Sequence, residues 1–489
     1  MPEFHQSFQE NTLTVLKRQM MVMLRNIAFI RGRGFMVVLI GLLYGSTFYQ
    51  LDATSAQVVM GVLFQSVLFL GLGQAAQIPT YCDARPIFYK QRGSNFLRTP
   101  TYVLANSVSQ IPWALAETIV FGSLVYWMCG LKSSVKAFVV FEILLFLTIL
   151  AFAAWFFFLA AISPNLHIAK PLSMVSILFF VVFAGFVVPK SEMPDYFIWI
   201  YWIDPIAWCL RGIAVNQYRS NEFDVCVYDG FDYCTKYQMK MGEYFLSLYD
   251  VPSDKSWVWL AVVFLLATYV IFLVFGVLVL EYKRYESPEH ITLTAENEEP
   301  VATDAYALAT TPTSGRKTPA MGAQTDETVT LNVKATTKKF EPVVIAFQDL
   351  WYSVADPHDP KESLTLLKGI SGYAMPGSIT ALMGSTGAGK TTLMDVIAGR
   401  KTGGTIQGKI MLNGYEASDL AIRRCTGYCE QMDIHSDAST IREALVFSAF
   451  LRQHSSVPDS QKYDSSDGAH EAPDHWCGAS RRPASIVPG

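Results

Sequence analysis

Residues 384–391 read GSTGAGKT, a full match to the P-loop pattern G-x-x-x-x-G-K-[ST]. The apolar run SITALM at 378–383 comes directly before it, as expected for a buried parallel strand that enters a P-loop. Residues 391–398 have the composition of a helix. Strand, loop and helix in this order are the context in which the pattern holds nucleotide phosphates, so we predict an α/β nucleotide-binding domain.

The residue types of the loop suit phosphate binding. Glycines let the backbone fold around the anion and aim its N–H groups inward, and the helix N-terminus adds partial positive charge. We expect Lys390 to reach the β- and γ-phosphates of ATP and the Thr391 hydroxyl to bind Mg²⁺. The predicted nucleotide-binding residues of this loop are Gly384, Ser385, Thr386, Gly387, Ala388, Gly389, Lys390, Thr391 and Thr392.

The part of the chain before the P-loop is strongly apolar. Hydrophobic residues make up 51% of the chain and charged residues 16%, against about 25% charged residues in typical soluble domains. Six apolar stretches are long enough to cross a bilayer as helices. They lie at 34–51, 58–78, 111–131, 137–162, 171–188 and 257–280. The predicted fold is an α-helical polytopic membrane domain of six spans followed by a truncated α/β P-loop ATP-binding domain.

Charge predicts the orientation of these spans. Lysine and arginine concentrate in 1–33, before the first span, and in 85–98, after the second. Cytoplasmic loops carry such an excess, so we predict that both ends are cytoplasmic and that the P-loop lies where ATP is. The expected protein is an integral, multi-pass protein of the plasma membrane. The net charge of −4 shows no excess of basic residues of the kind that binds nucleic acid, and we expect no nucleic-acid partner.

The predicted outer loop between the fifth and sixth spans leaves two questions open. Residues 196–218 are rich in tyrosine and tryptophan, which favour the bilayer interface. They form either a helix that dips into or lies on the membrane, or an ordinary packed outer loop. Cys226 and Cys234 either form a disulfide in an oxidising exterior or remain thiols.

Two carboxylates lie inside or near the edge of the third and fourth spans, at Glu117 and Glu142. Carboxylates in a membrane are costly and usually face a cavity or a partner. They have a role in the substrate pathway or in coupling, or they are paired locally near the interface.

A flexible linker is predicted at 286–339, where Thr, Ala, Glu and Pro dominate and no hydrophobic period is seen. Short strands are predicted after it at 343–347 and 350–354. The predicted organisation is an N-terminal segment, a membrane domain, the linker, a partial nucleotide-binding domain and an atypical tail. Their bounds are 1–33, 34–285, 286–339, 340–453 and 454–489.

Longer runs resemble a known family. GSTGAGKTTLMDVIAGRKTGG at 384–404 and GYCEQMDIH at 427–435 resemble the second nucleotide-binding domain of ABC transporters of the pleiotropic-drug-resistance type, the full-size form of the G subfamily. RPIFYKQR at 85–92 and SQIPWALAETIVFGSLVYWMCGL at 109–131 resemble the first membrane domain of that family. The resemblance covers residues from about 10 to 453.

The resemblance implies roles for further residues. Gln431 would be the Q-loop glutamine, which contacts Mg²⁺ and the attacking water. The candidate catalytic residues are then Lys390 and Gln431, and the candidate metal ligands are Thr391 and Gln431. Either Tyr352 or Trp351 would stack on adenine, the alternative being that they pack in a core. Residues 85–98 would pass motion of the nucleotide domain to the helices.

The same resemblance implies ATP and Mg²⁺ as cofactors. Closure of two nucleotide-binding domains on ATP would switch the membrane cavity and export hydrophobic or amphipathic small molecules or lipids. The expected partners are ATP, the lipid bilayer, such a substrate and a second nucleotide-binding domain in the intact protein.

The chain also departs from the family pattern. It shows no LSGGQ-like signature, no Walker B run ending in Asp-Glu and no switch histidine. We therefore expect a fragment with weak ATP hydrolysis or none, so that its standing as an enzyme is uncertain. The alternative is a non-catalytic membrane protein that at most binds nucleotide. Residues after 464 lack apolar periodicity and are either a frame-shifted or mis-spliced tail or a natural disordered end.

Overall fold

A computed structural model describes most of the chain, in two compact units. The described residues are 6–51, 56–93, 95–220, 223–228, 230–283, 342–355, 363–385, 387–401, 403–429, 439–453, 457–460, 462 and 484–486. One unit contains Met1–Tyr285 and Met432–His470, and the other contains Glu286–Gln431 and Glu471–Gly489. The predicted linker at 286–339 lies outside the described residues.

The first unit is helical. Its first seven helices are α1 Phe8–Arg25, α2 Ile27–Thr47, α3 Ala56–Leu72, α4 Ile78–Gly93, α5 Thr99–Met128, α6 Val135–Ile162 and α7 Leu166–Val182. A short 3₁₀ turn, Gly73–Gln77, joins α3 to α4. The later helices of this unit are α8 Ile198–Ile203, α9 Pro205–Tyr218, α10 Tyr233–Tyr237, α11 Met241–Ser247, α12 Ser256–Tyr282 and α15 Ile441–Arg452. A small hairpin pairs β1 Val227–Tyr228 with β2 Phe231–Asp232.

Five of the six predicted spans are helices long and apolar enough to cross a membrane. Within the described part of the chain they are α2, the continuous stretch from α3 through α4, α5, α6 and α12. The fifth predicted span, at 171–188, overlaps α7, a shorter apolar helix of 17 residues that runs from Leu166 to Val182. The sixth crossing therefore stays a prediction. The chain is an integral membrane protein with several apolar helices.

The aromatic stretch at 196–218 forms α8 and α9. Asp204 ends α8 and begins α9, because its Oδ1 accepts the N–H of Ile206 at 2.8 Å and Pro205 fits the first helical position. Helix α9 is largely buried and packs against α3, α6 and α12. Helix α9 is thus held among the membrane-length helices. Cys226 and Cys234 form a disulfide.

The second unit is built on an antiparallel sheet of order β4-β3-β5-β6. Its elements are β3 Ile345–Ala355, β4 Ser363–Ala374, α13 Lys390–Ile397, β5 Thr405–Leu412, β6 Tyr415–Glu416, α14 Asp419–Cys425, β7 Thr426–Tyr428 and β8 Ala484–Ile486. Strands β7 and β8 pair in parallel. The predicted helix at 391–398 corresponds to α13.

The two strands predicted at 343–347 and 350–354 are one strand, β3, with an irregularity between them. Asp349 has a φ of 50°, and the pairing registers shift on both sides of it. On β5, a Cβ at Gly408 would lie 2.3 Å from the Asp349 carbonyl oxygen, so the neighbouring backbone approaches closely there. An extra residue in a strand kinks it without ending it.

The prediction of a buried parallel strand at 378–383 is wrong. These residues form no strand, and none of the described residues pairs with them. Ile379 is 101% exposed and Met383 88% exposed. An apolar run predicts burial only if another part of the chain covers it, and the sheet is built from β3, β4 and β5 instead.

Candidate functional site

The P-loop backbone has the conformation that its glycines allow. Gly387 has a φ of 85° and Gly389 a φ of 81°, a left-handed region that side chains disfavour. Gly389 directly precedes α13, and a Cβ there would lie 3.3 Å from Leu367 Cδ2 on β4. Both the turn and the close approach to β4 therefore favour glycine at this position.

Lys390 begins α13 and folds back over the loop. Its ammonium Nζ donates to the carbonyl oxygens of Gly384 and Ser385, each at 2.8 Å. An ammonium has three donors, so a third N–H remains to bind a phosphate oxygen. Thr391 is exposed in the first turn of α13. The loop therefore groups a cation, a hydroxyl and backbone N–H groups at a helix N-terminus, which is the chemistry of an anion site.

Helix α13 is fixed to its unit on two sides. Leu393, Val396 and Ile397 are buried in a core that β3 and β4 complete. The buried Asp395 carboxylate accepts a hydrogen bond from the Tyr428 hydroxyl and forms an ion pair with Lys401, with 2.9 Å between Lys401 Nζ and Asp395 Oδ2. The sequence reasoning missed Asp395 and Tyr428; Tyr428 lies three residues before Gln431, within the GYCEQ run.

Two predicted site residues lie outside the described residues, Thr386 in the P-loop and Gln431 in the Q-loop position. The two candidate adenine-stacking aromatics differ in their surroundings. Tyr352 is 4% exposed, packs in the core and donates its O–H to the Gly403 carbonyl at 2.9 Å. Trp351 is 40% exposed, and its indole N–H donates to Asp349 Oδ1 at 2.9 Å. Only the Trp351 ring faces solvent.

Helix α15 is docked on α1 within the helical unit. The Arg25 guanidinium makes two hydrogen bonds to the Glu443 carboxylate, one of them 2.6 Å long. Arg18 lies over the Phe447 ring at 4.4 Å, and the Gln6 side chain donates to the Phe450 carbonyl. The Arg25 hydrogen bonds, together with the N–H of Thr440, lower the pKa of Glu443 to about 2.

The two intramembrane carboxylates have different surroundings. Glu117 Oε1 accepts Arg33 Nε at 2.9 Å and Trp113 Nε1 at 2.8 Å, and Oε2 accepts Gln74 Nε2 at 3.1 Å. Local pairing therefore describes Glu117. Both carboxylate oxygens of Glu142 are buried and have no hydrogen-bond partner among the described residues.

Comparison with known families assigns both parts of the chain. Residues 10–218 match the ABC-2 type transporter family, and residues 367–479 match the ABC transporter family. The chain therefore joins a helical ABC-2 membrane domain to an ABC domain, which implies ATP binding. The match to residues 367–479 includes both the P-loop and α15.

The relatives are named as members of one ABC subfamily. The chain is 31% identical over 454 residues to ABC transporter G family member 2 of Dictyostelium discoideum, covering 88% of this chain and 33% of that protein. It is 31% identical over 476 residues to ABC transporter G family member 39 of Oryza sativa subsp. japonica, covering 92% of this chain and 32% of that protein. It is 29% identical over 469 residues to ABC transporter G family member 36 of Arabidopsis thaliana, covering 91% of this chain and 31% of that protein. The chain thus spans about a third of the length of these relatives.

Proposed function

We propose that this chain serves ATP-driven export of hydrophobic or amphipathic small molecules or lipids, as part of a G-family ABC transporter of the pleiotropic-drug-resistance type. The observation that carries the proposal is the P-loop geometry, with Lys390 over the loop at the start of α13, in a chain with membrane-length helices. The names of the relatives support the subfamily. The class of substrate rests on the resemblance in sequence.

In this proposal Mg²⁺-ATP binds at the P-loop. Lys390 holds the β- and γ-phosphates, Thr391 binds Mg²⁺, and Gln431 contacts the metal and the attacking water. Trp351 stacks on adenine, because its ring is exposed while that of Tyr352 fills the core. The ABC transporters are driven by two nucleotide-binding domains, and a second such domain is therefore the partner we propose.

Helices α1 and α15 connect part of the ABC-family stretch to the spanning helices. Helix α15 lies in the stretch that matches the ABC domain, yet its side chains bind α1. Asn26 ends α1 and begins α2, so any displacement of α1 reaches the first spanning helix directly. Helix α1 also contacts α5, where Gln19 donates to Asn106 Oδ1 at 3.2 Å. We propose that movement of α15 is transmitted through α1 to α2 and α5.

The proposed placement in the membrane follows the charge pattern. Both ends of the membrane domain are cytoplasmic, α7 contributes a sixth crossing, and the disulfide-bearing loop faces the exterior, where a disulfide is stable. The plasma membrane is the proposed location.

A second candidate function is nucleotide binding without turnover. The exposed apolar run at 378–383 favours this second candidate, since the side chains of Ile379 and Met383, just before the P-loop, are exposed to solvent. Loose packing beside the loop would weaken the preorganisation that catalysis needs.

The deciding experiment compares the purified chain with a Lys390→Ala variant in lipid nanodiscs. ATP binding that the variant loses, measured with a fluorescent ATP analogue, supports the P-loop site. ATP hydrolysis that the variant also loses supports the export function. Binding without hydrolysis in the unsubstituted chain supports the second candidate, and equal binding by both proteins refutes the site.

A further inference from the structure

Glu142 is an acidic residue of a membrane-length helix that the proposed ATP-driven mechanism does not use. It lies seven residues from the start of α6, about 10 Å along the helix axis. Both of its carboxylate oxygens are shielded from solvent, and neither has a hydrogen-bond donor among the described residues. A charged carboxylate in this position would have neither water nor a partner.

The Glu142 carboxyl lies against α5 at a glycine. A Cβ on Gly122 would stand 2.3 Å from Oε1 of Glu142 and 2.7 Å from its Cδ. Any other residue at 122 would therefore displace the carboxyl. The missing side chain leaves the α5 backbone open at this point, and the backbone carbonyls of a helix keep a second lone pair that can accept a hydrogen bond.

No counter-charge faces Glu142 from its own helix or from the helices packed on the same half of α6. Lys136 on α6 is exposed and lies six residues away, about 240° around the helix. On α5, Glu117 is bound by Arg33 and Tyr126 donates its O–H to the Lys132 carbonyl.

On α12, Tyr269 shares a hydrogen bond with Ser107, and Glu281 is paired with Arg92 at 2.8 Å. Lys255 before α12, and His167 and Lys170 on α7, are exposed.

The other helices that pack on α6 give the same result. On α9, Asp204 caps its helix, Cys209 Sγ donates to the Leu144 carbonyl at 3.7 Å, and Arg211 is enclosed by aromatic rings that include Trp208 at 4.3 Å. Helix α3 carries no titratable residue. Helix α4 meets the opposite end of α6, where Arg85 donates to the Ala160 carbonyl.

We infer that Glu142 is a proton-binding site: in this arrangement of α5 and α6 the carboxyl is neutral and donates its O–H to the α5 backbone beside Gly122. An unpaired buried carboxylate is destabilising, and taking up one proton from water removes the charge while it supplies the donor that the contact lacks. Release of that proton to water requires the carboxylate to be hydrated. The α5–α6 contact at Gly122 is then closed with the proton bound and opens when it leaves.

This site includes none of the proposed ATP-binding residues and is not assigned by either family match. Its effect is to make the packing of two spanning helices sensitive to the proton concentration on the side that reaches Glu142. Acidic conditions favour the closed contact. The same residue type at 117 has no such property, because its negative charge is already bound by Arg33.

The test is infrared spectroscopy of the full chain in lipid nanodiscs at neutral pH. A protonated carboxylic acid has a carbonyl stretching band that a carboxylate lacks. In difference spectra against the unsubstituted chain, which cancel the carbonyl bands of lipid esters and of other buried acids, we expect Glu142→Gln to lose a carboxylic-acid band. Glu117→Gln, the matched control in the neighbouring helix α5, is expected to lose none. A Glu142→Gln difference spectrum without this loss, or an equal loss in Glu117→Gln, overturns the inference.

A second measurement does not require the variant to fold. A hydrophobic carbodiimide reacts with protonated carboxyls in membranes: the acid proton moves to a carbodiimide nitrogen and a carboxyl oxygen bonds to its central carbon, giving an O-acylisourea that rearranges to a stable N-acylurea. Mass spectrometry of the unsubstituted chain is expected to find the adduct on Glu142 and not on Glu117, with labelling that falls as the pH rises. Labelling of Glu117 alone, or of neither residue, overturns the inference.

Discussion

Replacing Glu117 by alanine tests whether the polar cluster of α2, α5 and the 3₁₀ turn stabilises the membrane domain. Glu117 is 3% exposed and accepts three hydrogen bonds, from Arg33, Trp113 and Gln74. Hydrogen bonds between membrane helices contribute about 0.6 kcal/mol each, so the two from Arg33 and Gln74 give about 1 kcal/mol. The Trp113 hydrogen bond lies within α5. Removing one partner of a buried ion pair costs about 3–5 kcal/mol, because the other charge stays buried. Arg33 keeps 12% exposure, which places the expected loss near 3 kcal/mol.

The assay is equilibrium unfolding in mixed micelles of rising sodium dodecyl sulfate content, followed by tryptophan fluorescence. Glu192→Ala, which replaces an exposed carboxylate between α7 and α8, is the control and is expected to change stability by less than about 0.5 kcal/mol. A double variant, Arg33→Met with Glu117→Met, removes both charges and is expected to recover at least half of the loss. A loss below about 1 kcal/mol for Glu117→Ala, or a double variant less stable than Glu117→Ala, would refute the reasoning.

Three further predictions concern the other contacts. Docking of α15 on α1 is expected to be constant from neutral pH to about 5 and to weaken as the pH falls from 4.5 toward about 2. Glu443 is charged throughout the upper range and loses its ion pair with Arg25 when it is protonated. The yield of a cross-link between α1 and α15 measures the docking, and a yield that does not change with pH contradicts the prediction. Replacing Cys226 and Cys234 by serine is expected to cost about 2.5 kcal/mol from loop entropy, measured by the same unfolding assay, and no change would contradict this. Gly389→Ala is expected to weaken ATP-analogue binding at least tenfold, because its φ of 81° strains any side chain; unchanged affinity in a folded variant contradicts it.

The sequence predicted those elements whose signals are local. The P-loop glycines and the helix after them form one contiguous pattern, and α13 begins at Lys390 as that pattern requires. The long apolar stretches are equally self-contained, and five of them are membrane-length helices. In each case the residues that decide the structure are close neighbours in the chain.

The elements that the sequence did not predict depend on distant partners. The run at 378–383 looks like a buried strand, but burial requires covering strands that its own residues do not specify. Strand β3 continues through Asp349 because β4 and β5 pair with it on both sides of the irregularity. Helix α15 joins the helical unit through an ion pair between residues 418 positions apart, Arg25 and Glu443, and no local pattern reports such a contact.

Glu117 and Glu142 show what decides the role of a carboxylate inside a membrane. Both occur in apolar helices, and sequence alone assigns the same cost to each. The difference lies in the facing positions: Glu117 meets Arg33 and Gln74, whereas Glu142 meets the bare backbone of Gly122. A cation opposite an acid favours the charged form of the acid and holds the two helices together through the ion pair. A glycine opposite an acid accommodates the group only as a neutral donor, and so makes the contact depend on a proton.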